Sequence, residues 1–416
     1  MSAPRVEVVL SDDALERLPA HVEGPVVVVM DANTRLAAGV RVLAALEAAR
    51  VDAEPVVFER RSGLAATPEA VQRVHERLTG GRLAVAVGSG VITDVVRRAA
   101  DLAGVAFISV PTAASMDGYA SSVAALQIDG VKVTVPARPP RAVFADPRVA
   151  ARAPLELTRA GIGDMLAKAT ARVDWLAAHL LYGESFEPDV DRRVLALLGS
   201  VVERAQGALG GEPAAVAALL RGLIESGLAI AAVGSSRPAS GCEHHASHFW
   251  DLLAARGVRP HHPHGLQVGY ATWFAMRLQR FAFDGGLAEL RPPQPPTNPL
   301  DADARRWLGR PSKAIREAVA DKRRFVSRLD HWPRDQAAWQ AVRDAIRPSL
   351  ARFASVERAL AAAGIPREPG FLGLDRAMLR ATFRHATRLR SRYTVIDLLE
   401  GQGVLEQAID AALAPG

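Results

Sequence analysis

The sequence contains little cysteine, few aromatic residues and no long apolar run. Cys242 is the one cysteine in 416 residues, which excludes a disulfide framework and a zinc site made of cysteine alone, and favours a reducing compartment. No segment reaches the ~18 to 20 uninterrupted apolar residues of a membrane span. Charged residues within the first ten positions leave no apolar core for a signal peptide. We therefore expect a cytoplasmic protein without a membrane span.

The charge of the chain indicates an anionic small molecule rather than nucleic acid as its partner. The net charge is +6, but arginines are spread along the chain and aromatic residues make up only 5%. Nucleic-acid binders usually concentrate their basic residues and interleave them with aromatics. The densest basic runs, 322–324 and 388–392, are interpreted as solvated helix faces. A basic balance suits a phosphate ester as the substrate.

The length and the order of the apolar patterns predict two domains. Short β-branched runs, with helical patterns between them, predict a parallel sheet from strands at 25–30, 83–87, 106–110 and 142–146. A hairpin is predicted over 126–136, with its turn at Asp129-Gly130. After Pro154 the patterns become those of long amphipathic helices. The predicted helices cover 159–181, 191–207, 213–232, 301–320, 336–363 and 375–392. We predict an α/β dinucleotide-binding domain over 1–153 and an all-α metal-binding and substrate domain over 154–416.

A glycine turn joins the second predicted strand to a helix and is a candidate cofactor site. Glycines let a phosphate approach the backbone, and the helix N-terminus offers N–H donors. The Gly-x-Gly-x-x-Gly pattern is incomplete, so a plain strand–helix turn fits equally well. Asp31 ends the first strand, where its carboxylate can accept from a ribose hydroxyl and would repel a 2′-phosphate, which favours NAD over NADP. The candidate turn residues are Gly88, Ser89, Gly90, Val91, Ile92, Thr93 and Asp94.

Small polar residues follow the third predicted strand. Open α/β sheets bind ligands beyond the carboxyl ends of their strands. Thr112 and Ser115 can donate to a cofactor, and Asp117 can accept from a substrate hydroxyl. The alternative is an ordinary polar loop.

The histidines are concentrated in one short stretch. Six of the 11 fall within 21 residues: His244, His245, His248, His261, His262 and His264. Asp164, His244 and His264 come from separate segments and form a possible site of one carboxylate and two imidazoles with an open position. Zinc, iron, nickel or cobalt would accept those ligands. Taken alone, Asp164 and Lys168 also fit an ordinary helical pair at i and i+4. No role is assigned to Cys242, His245, His261 or His262.

These motifs, in this order, resemble the sn-glycerol-1-phosphate dehydrogenase family, within the iron-containing alcohol dehydrogenase and 3-dehydroquinate synthase superfamily. The resemblance extends from about residue 25 to 406. It departs from the family pattern at Ser89, Arg97 and Cys242. The matching segments are GSGVITD at 88–94, PTAASMDG at 111–118, GDMLAK at 163–168, DW at 174–175, GSSRPASGCEHHASH at 234–248, PHG at 263–265 and RYTVIDLL at 392–399.

The resemblance implies a dehydroquinate synthase-like fold with its active site in the cleft between two domains. It implies that Asp164, His244 and His264 hold one divalent metal, usually zinc, and that Asp117, His248 and Asp164 contact the substrate. The residues that it implies for NAD or NADP are Gly90, Val91, Ile92, Thr93, Asp94, Thr112, Ala113, Ala114, Ser115 and Ser121.

The expected activity is reversible, metal-assisted reduction of dihydroxyacetone phosphate to sn-glycerol 1-phosphate with NAD(P)H. The metal would act as a Lewis acid, and His248 or an ordered water would supply the proton. Lys168 and Arg237 are candidate phosphate partners by their charge. Three alternatives stay open: a dehydrogenase of another polyol or polyol phosphate, a dehydroquinate synthase-like lyase with bound NAD, and a non-catalytic metal- or nucleotide-binding regulator. We expect a homodimer or a higher homo-oligomer.

Overall fold

The computed structural model describes residues 6–59, 63–128, 131–294 and 299–414. It divides into two compact units. An α/β unit comprises the chain up to Met165 together with Ala196–Ser236. A helical unit comprises Leu166–Leu195 together with the chain from Arg237 onward. Each unit therefore takes two chain segments, and the boundary proposed after residue 153 stays a prediction.

The α/β unit contains a six-stranded parallel sheet and a separate antiparallel hairpin. The order in the sheet is β1-β8-β5-β4-β2-β3, and the hairpin pairs β6 with β7. The predicted Asp129-Gly130 turn lies outside the described residues. The strands are β1 (Glu7–Leu10), β2 (Val26–Asp31), β3 (Ala53–Phe58), β4 (Leu83–Gly88), β5 (Phe107–Pro111), β6 (Val123–Ile128), β7 (Val131–Pro136) and β8 (Ala142–Ala145).

Alternation along the central strands gives the sheet two buried faces. Val27 and Val29 of β2 belong to one apolar cluster, whereas Val26, Val28 and Met30 belong to the other. Side chains alternate across a strand, so a continuous apolar run covers both faces. This confirms the predicted parallel α/β sheet. The two edge strands, β1 and β3, were not among the predictions because their short, mixed sequences lack such a run.

Helices occupy most of the rest of the described chain, as predicted for the C-terminal part. The first seven helices are α1 (Ala14–Arg17), α2 (Ala32–Thr34), α3 (Val40–Ala48), α4 (Pro68–His75), α5 (Gly90–Ala103), α6 (Pro147–Ala151) and α7 (Leu155–Leu166). The next ones are α8 (Lys168–Tyr182), α9 (Pro188–Leu209), α10 (Pro213–Val233), α11 (Cys242–Ala255) and α12 (His264–Phe283). The last are α13 (Ala302–Leu308), α14 (Lys313–Val326), α15 (Gln336–Leu350), α16 (Phe353–Ala362), α17 (Arg376–His385), α18 (Val395–Gly401) and α19 (Leu405–Leu413).

Three of the long predicted helices are divided in the structure. The one predicted over 159–181 is interrupted at Ala167, between α7 and α8, and the other two are interrupted near a glycine or a proline. The helix predicted over 301–320 is interrupted at Gly309, which has a positive φ of 75° and closes α13. Pro311 follows, and a proline cannot continue a helix from the residue before it. The helix predicted over 336–363 is interrupted between α15 and α16, shortly after Pro348. Apolar periodicity continues across the latter two interruptions, which is why the sequence pattern did not resolve them.

The interpretation of the two basic runs as solvated helix faces is wrong at two positions. The Lys322 side chain is buried, and its Nζ donates to the Thr387 carbonyl oxygen at 2.7 Å and to Asp397 Oδ1 at 2.9 Å. Arg388 is also buried and forms a bidentate ion pair with Glu400. Burial of these cations is possible because each has a carboxylate partner.

One described helix, α10, is long and apolar enough to cross a membrane by length and composition alone. Half of its most apolar stretch is buried inside the protein, as in a helix of a packed core. A lone helix of this kind is weak support for a membrane span.

Candidate active site

The glycine turn between β4 and α5 exposes backbone rather than side chains. Gly88 must be a glycine, because a Cβ there would lie 2.6 Å from the Ile92 Cβ. Gly90 has more room: its nearest neighbour would be the Met116 Cε at 3.6 Å. Ser89 stands at the N-cap of α5 without a side-chain cap. The first amides of α5 therefore have no side-chain acceptor at the cap, as in helix N-termini that bind phosphate.

Arg97 of α5 holds the polar loop that follows β5, a role that was missed from the sequence. Its guanidinium is fully buried and pairs with Asp94 Oδ1 at 3.0 Å. It also donates to the carbonyl oxygens of Gly118, Tyr119 and Val123. Burial lowers the pKa of this guanidinium. The helix that carries the candidate cofactor residues is thereby tied to the loop that carries Asp117.

The small polar residues after β5 are buried and bonded to one another. Ser115 Oγ lies 3.1 Å from the Tyr119 hydroxyl, which donates to the Ala113 carbonyl oxygen at 2.6 Å. Burial raises the pKa of Tyr119 to about 12, so this hydroxyl stays protonated at neutral pH. Ser121 Oγ donates to the Val123 carbonyl oxygen at 3.0 Å. These hydrogen bonds fix the conformation of the loop, which also contains the candidate residues Thr112 and Ala114.

Asp117 and Asp164 are brought together within the α/β unit. The Asp117 amide donates to Asp164 Oδ2 at 2.9 Å, and Asp117 Oδ2 accepts from Ser226 Oγ at 3.0 Å. Asp164 is fully buried on α7. Gly227 lets α10 pack this closely, since a Cβ there would lie 2.5 Å from the Asp117 carbonyl oxygen. The backbone of Asp117 is therefore hydrogen-bonded to the carboxylate of Asp164, although the two residues come from separate motifs.

The helical unit brings three of the predicted histidines together. His244 is in α11 and His264 begins α12, and their ring centroids are 5.2 Å apart. His248 follows one turn after His244, and its ring centroid is 5.9 Å from that of His264. Imidazoles at this separation suit a shared metal ion.

Each candidate ligand imidazole has its Nδ1 beside a polar group of α11. His244 Nδ1 lies 2.9 Å from Glu243 Oε1, and His264 Nδ1 lies 3.0 Å from Ser247 Oγ. Neither Glu243 nor Ser247 was predicted, although both lie inside the motif that carries the histidines. Such partners orient metal-binding imidazoles. The donor set therefore fits a divalent metal.

A second group of donors surrounds the start of α11. Among the described residues, ligand atoms of Asp174, Cys242 and Glu243 lie within 4.8 Å of one another. The carboxylate of Asp174 already accepts from the amides of Cys242 and Val395 at 2.7 and 2.9 Å. Burial raises the pKa of Asp174 to about 7, and burial also raises the pKa of the Cys242 thiol. The carboxylate of Asp174 thereby holds the start of α11 by hydrogen bonds. A protonated, buried thiol such as that of Cys242 is unreactive.

The two predicted phosphate partners are both buried in the helical unit. Arg237 forms a bidentate ion pair with Glu184 and donates to the Tyr393 carbonyl oxygen at 2.7 Å. Lys168 begins α8 and is fully buried. Burial raises the pKa of Glu243, and the charge of Lys168 opposes that shift.

His245 was assigned no role from the sequence, yet it lies in a distinctive environment. It is fully buried, and neither ring nitrogen has a hydrogen-bond partner. Burial, followed by the charges of Lys322, Arg392, Arg390 and Arg237, holds its pKa well below the usual range. His245 is therefore neutral, and cations are concentrated around it. No sequence pattern indicates this, because the cations come from distant positions.

The carboxylate of Asp31 caps the short helix α2 that follows it. Its Oδ1 accepts from the amides of Asn33 and Thr34, both at 2.8 Å, and Thr34 completes the capping box. His261 is largely exposed, with Nε2 3.8 Å from Asp251.

The assignments of metal, cofactor and substrate residues stay predictions. The candidate residues fall into two groups, one within each unit.

Known proteins resemble this chain in sequence. The family model described as iron-containing alcohol dehydrogenase matches residues 10–154. The glycerol-1-phosphate dehydrogenase [NAD(P)+] of Bacillus velezensis is 31% identical over 91% of this chain and 86% of its own length. That of Halalkalibacterium halodurans is 35% identical over 66% of this chain and 70% of its own length. That of Pyrococcus furiosus is 37% identical over 60% and 69%.

Solved structures share the fold. Glycerol dehydrogenase from Schizosaccharomyces pombe has a TM-score of 0.69 and 16% identity, covering 99% of this chain and 90% of the other. An iron-containing alcohol dehydrogenase from Thermotoga maritima has a TM-score of 0.60 and 14% identity, covering 98% and 99%. These likenesses confirm the predicted dehydroquinate synthase-like fold class.

Proposed function

Because this chain belongs to the glycerol-1-phosphate dehydrogenase family, we propose that it reduces dihydroxyacetone phosphate to sn-glycerol 1-phosphate with NADH or NADPH. It is an oxidoreductase that acts on a CH–OH group and uses NAD(P) and one divalent metal. The single observation that carries the proposal for its own residues is the pairing of His244 and His264 across α11 and α12.

We propose that Asp164, His244 and His264 hold the metal. Bound there, a divalent metal supplies Lewis-acid polarisation of the substrate carbonyl, and the nicotinamide supplies a hydride. Asp164 is buried and in contact with the Asp117 amide, and both imidazoles have an oriented Nδ1. One carboxylate and two imidazoles suit zinc, nickel or iron.

The cofactor residues proposed in the α/β unit act through backbone. Gly88, Ser89 and Gly90 let a pyrophosphate approach the N-terminus of α5, and the amides there donate to it. Arg97 ties this helix to residues 118–123 through its contacts with three carbonyl oxygens. We propose that Thr112 and Ser115, earlier in the same loop, contact the cofactor.

We propose that His248 delivers the proton that the substrate oxygen requires. It lies on α11 one turn after His244, beside the ring of His264. Histidine is the side chain that most often serves as the general acid or base in enzymes. Asp117, held by Ser226, is proposed to accept a hydrogen bond from a substrate hydroxyl.

The anionic end of the substrate is proposed to interact with the cations of the helical unit. Arg237, Arg390, Arg392 and Lys322 all act on buried His245 through their charges. Such a concentration of positive charge attracts a phosphate ester. Lys168 stays a candidate phosphate partner, whereas Arg237 would have to share its guanidinium with Glu184.

The test is NADH oxidation with dihydroxyacetone phosphate, before and after metal chelation. We expect turnover that is lost on chelation and restored by added metal. Comparison substrates are dihydroxyacetone in the same NADH assay, glycerol followed by NAD+ reduction, and a dehydroquinate synthase substrate followed by phosphate release. Faster turnover of any of them would assign the enzyme to an alternative activity.

We also propose a cytoplasmic homo-oligomer. The one cysteine is buried and unpaired, which suits a reducing compartment. Light scattering after size-exclusion chromatography would report the number of subunits.

A further inference from the structure

Glu243 is a buried carboxylate with three neighbours that can donate hydrogen bonds. Its Oε1 accepts from the Gly241 amide at 2.6 Å and lies 2.9 Å from His244 Nδ1. Its Oε2 accepts from Thr170 Oγ1 at 2.8 Å. The side chain is fully buried on the first turn of α11. Both carboxylate oxygens are therefore engaged, one of them by a candidate metal ligand.

This arrangement determines which nitrogen of His244 carries the proton. Oε1 of Glu243 accepts from the Gly241 amide, so this oxygen is an acceptor whether the carboxyl group is ionised or carries a proton on Oε2. Its contact with His244 therefore requires a proton on Nδ1 of the imidazole. A neutral imidazole with Nδ1–H has its lone pair on Nε2, which is the form that binds a metal.

We propose that Glu243 is a positioning residue, which fixes His244 in the Nδ1–H tautomer and directs Nε2 to the divalent metal. This inference rests on the proposed metal-dependent function, but it concerns metal affinity and geometry rather than turnover. Carboxylates in this position raise the basicity of the ligand and set its ring orientation.

His264 has a weaker counterpart. Its Nδ1 lies 3.0 Å from Ser247 Oγ, which is one turn along α11 from Glu243. A hydroxyl can donate or accept, so it orients the ring without fixing the tautomer as firmly as a carboxylate. The two imidazoles thus depend on the same helix for their orientation, and we expect Glu243 to contribute more than Ser247.

Asp174 also holds the start of α11, so Glu243 can be replaced without removing every contact that fixes this helix end. Asp174 Oδ2 accepts from the Cys242 amide at 2.7 Å, and Asp174 Oδ1 accepts from the Val395 amide at 2.9 Å. These bonds do not involve Glu243. In Glu243→Gln the side chain keeps its shape but loses the carboxylate, and its amide oxygen can still accept from the Gly241 amide. The variant is therefore expected to fold.

The experiment measures Zn²⁺ affinity of metal-free protein by competition with a chromogenic chelator. For Glu243→Gln we expect a 10- to 100-fold weaker affinity, as is typical when the carboxylate partner of a ligand imidazole is mutated, because a neutral amide no longer raises the basicity of the imidazole. Thr170→Val is the matched control, because it removes a hydrogen bond from the same carboxylate without touching the imidazole. We expect its affinity to stay within about 3-fold of the wild type.

A spectroscopic measurement distinguishes a role of Glu243 in orienting His244 from a role in the stability of the fold. With Co²⁺ in place of Zn²⁺, the visible absorption bands report ligand geometry, and we expect them to shift in Glu243→Gln and to stay unchanged in Thr170→Val. Glu243→Asp, which keeps the charge, should recover part of the affinity.

Wild-type Zn²⁺ affinity and an unchanged Co²⁺ spectrum in folded Glu243→Gln would overturn the inference. If that variant did not fold, Ser247→Ala decides instead: a 3- to 10-fold weaker affinity is expected, and an unchanged one overturns the inference for both imidazoles. A wild type that binds Zn²⁺ but does not reduce dihydroxyacetone phosphate would contradict the proposed function and leave the positioning role of Glu243 intact.

Discussion

The two units of this protein prepare their candidate sites by different means. In the α/β unit the glycine turn and the first amides of α5 form the candidate cofactor surface, and Arg97 ties this helix to the following loop. In the helical unit the candidate groups are side chains, and buried carboxylates hold them and the start of α11. The proposed cofactor surface of the α/β unit relies on backbone geometry, whereas the imidazoles of the helical unit rely on side-chain chemistry. Asp117 and Asp164 are the side chains that the α/β unit is proposed to contribute to the substrate and the metal.

This difference predicts separable losses. A change in the helical unit should remove the metal and leave the cofactor bound, whereas a change in the glycine turn should weaken the cofactor and leave the metal bound. Single substitutions that affected both ligands equally would contradict the division.

The largest effect is expected for the ligand imidazoles. We predict that His264→Ala and His244→Ala each lower kcat/KM for dihydroxyacetone phosphate by at least about 10³-fold, because Lewis-acid stabilisation is lost with the metal. Metal content by atomic emission and NADH affinity by fluorescence titration are measured on the same samples. NADH affinity should stay near the wild-type value, and a variant that kept its metal would remove that residue from the ligand set.

Loss of Arg97 is expected to cost the most stability. Replacing it by methionine leaves Asp94 and three carbonyl oxygens without their buried donor, which we expect to cost about 3 to 5 kcal/mol of unfolding free energy. Arg98→Met is the matched control, since the neighbouring pair with Asp101 is partly exposed and should cost less than about 1 kcal/mol. Urea denaturation gives both values, and equal losses would show that Arg97 has no special role.

The glycine turn should respond in two distinguishable ways. Gly90→Ala is expected to weaken NADH binding by about 10-fold with little change in Tm, because its Cβ meets only ordinary contacts while approaching the proposed pyrophosphate. Gly88→Ala is expected to lower Tm as well, because its Cβ would collide with Ile92. Zn²⁺ affinity should be unchanged in both variants. Normal NADH binding in Gly90→Ala would place the cofactor elsewhere.

The smallest effects are expected at two helix caps that are not among the candidate site residues. Thr67 caps α4 in the α/β unit, and Asp375 caps α17 in the helical unit. Replacing either by alanine should cost about 1 kcal/mol, with no change in the affinity for NADH or Zn²⁺. A loss of ligand affinity in either variant would mean that general destabilisation, rather than local chemistry, explains the larger effects above.

Much of the α/β unit was predictable because its signals are local. Strands β2, β4 and β5 are continuous apolar runs, and the glycine turn lies directly between a strand and a helix. Strands β1 and β3 lie at the edges of the sheet, where such a run is not required. Their short sequences therefore carried no comparable signal.

The candidate site was predictable as a set of residues but not as a network. The spacing of His244 and His248 placed them on one helix face, and the rings of both lie near that of His264. The contacts of Glu243 with Thr170 and of Asp174 with Val395 join segments far apart in the chain, and no local pattern encodes them. Burial of Lys322 and Arg388 was mistaken for solvation because charge alone does not reveal a distant carboxylate partner.

The most direct test identifies the product that the metal-loaded protein forms from dihydroxyacetone phosphate and NADH. We predict sn-glycerol 1-phosphate, which an sn-glycerol-3-phosphate dehydrogenase does not oxidise, and we predict that none forms after chelation until metal is restored. Formation of sn-glycerol 3-phosphate, or no NADH oxidation by protein shown to contain its metal, would contradict the proposed function.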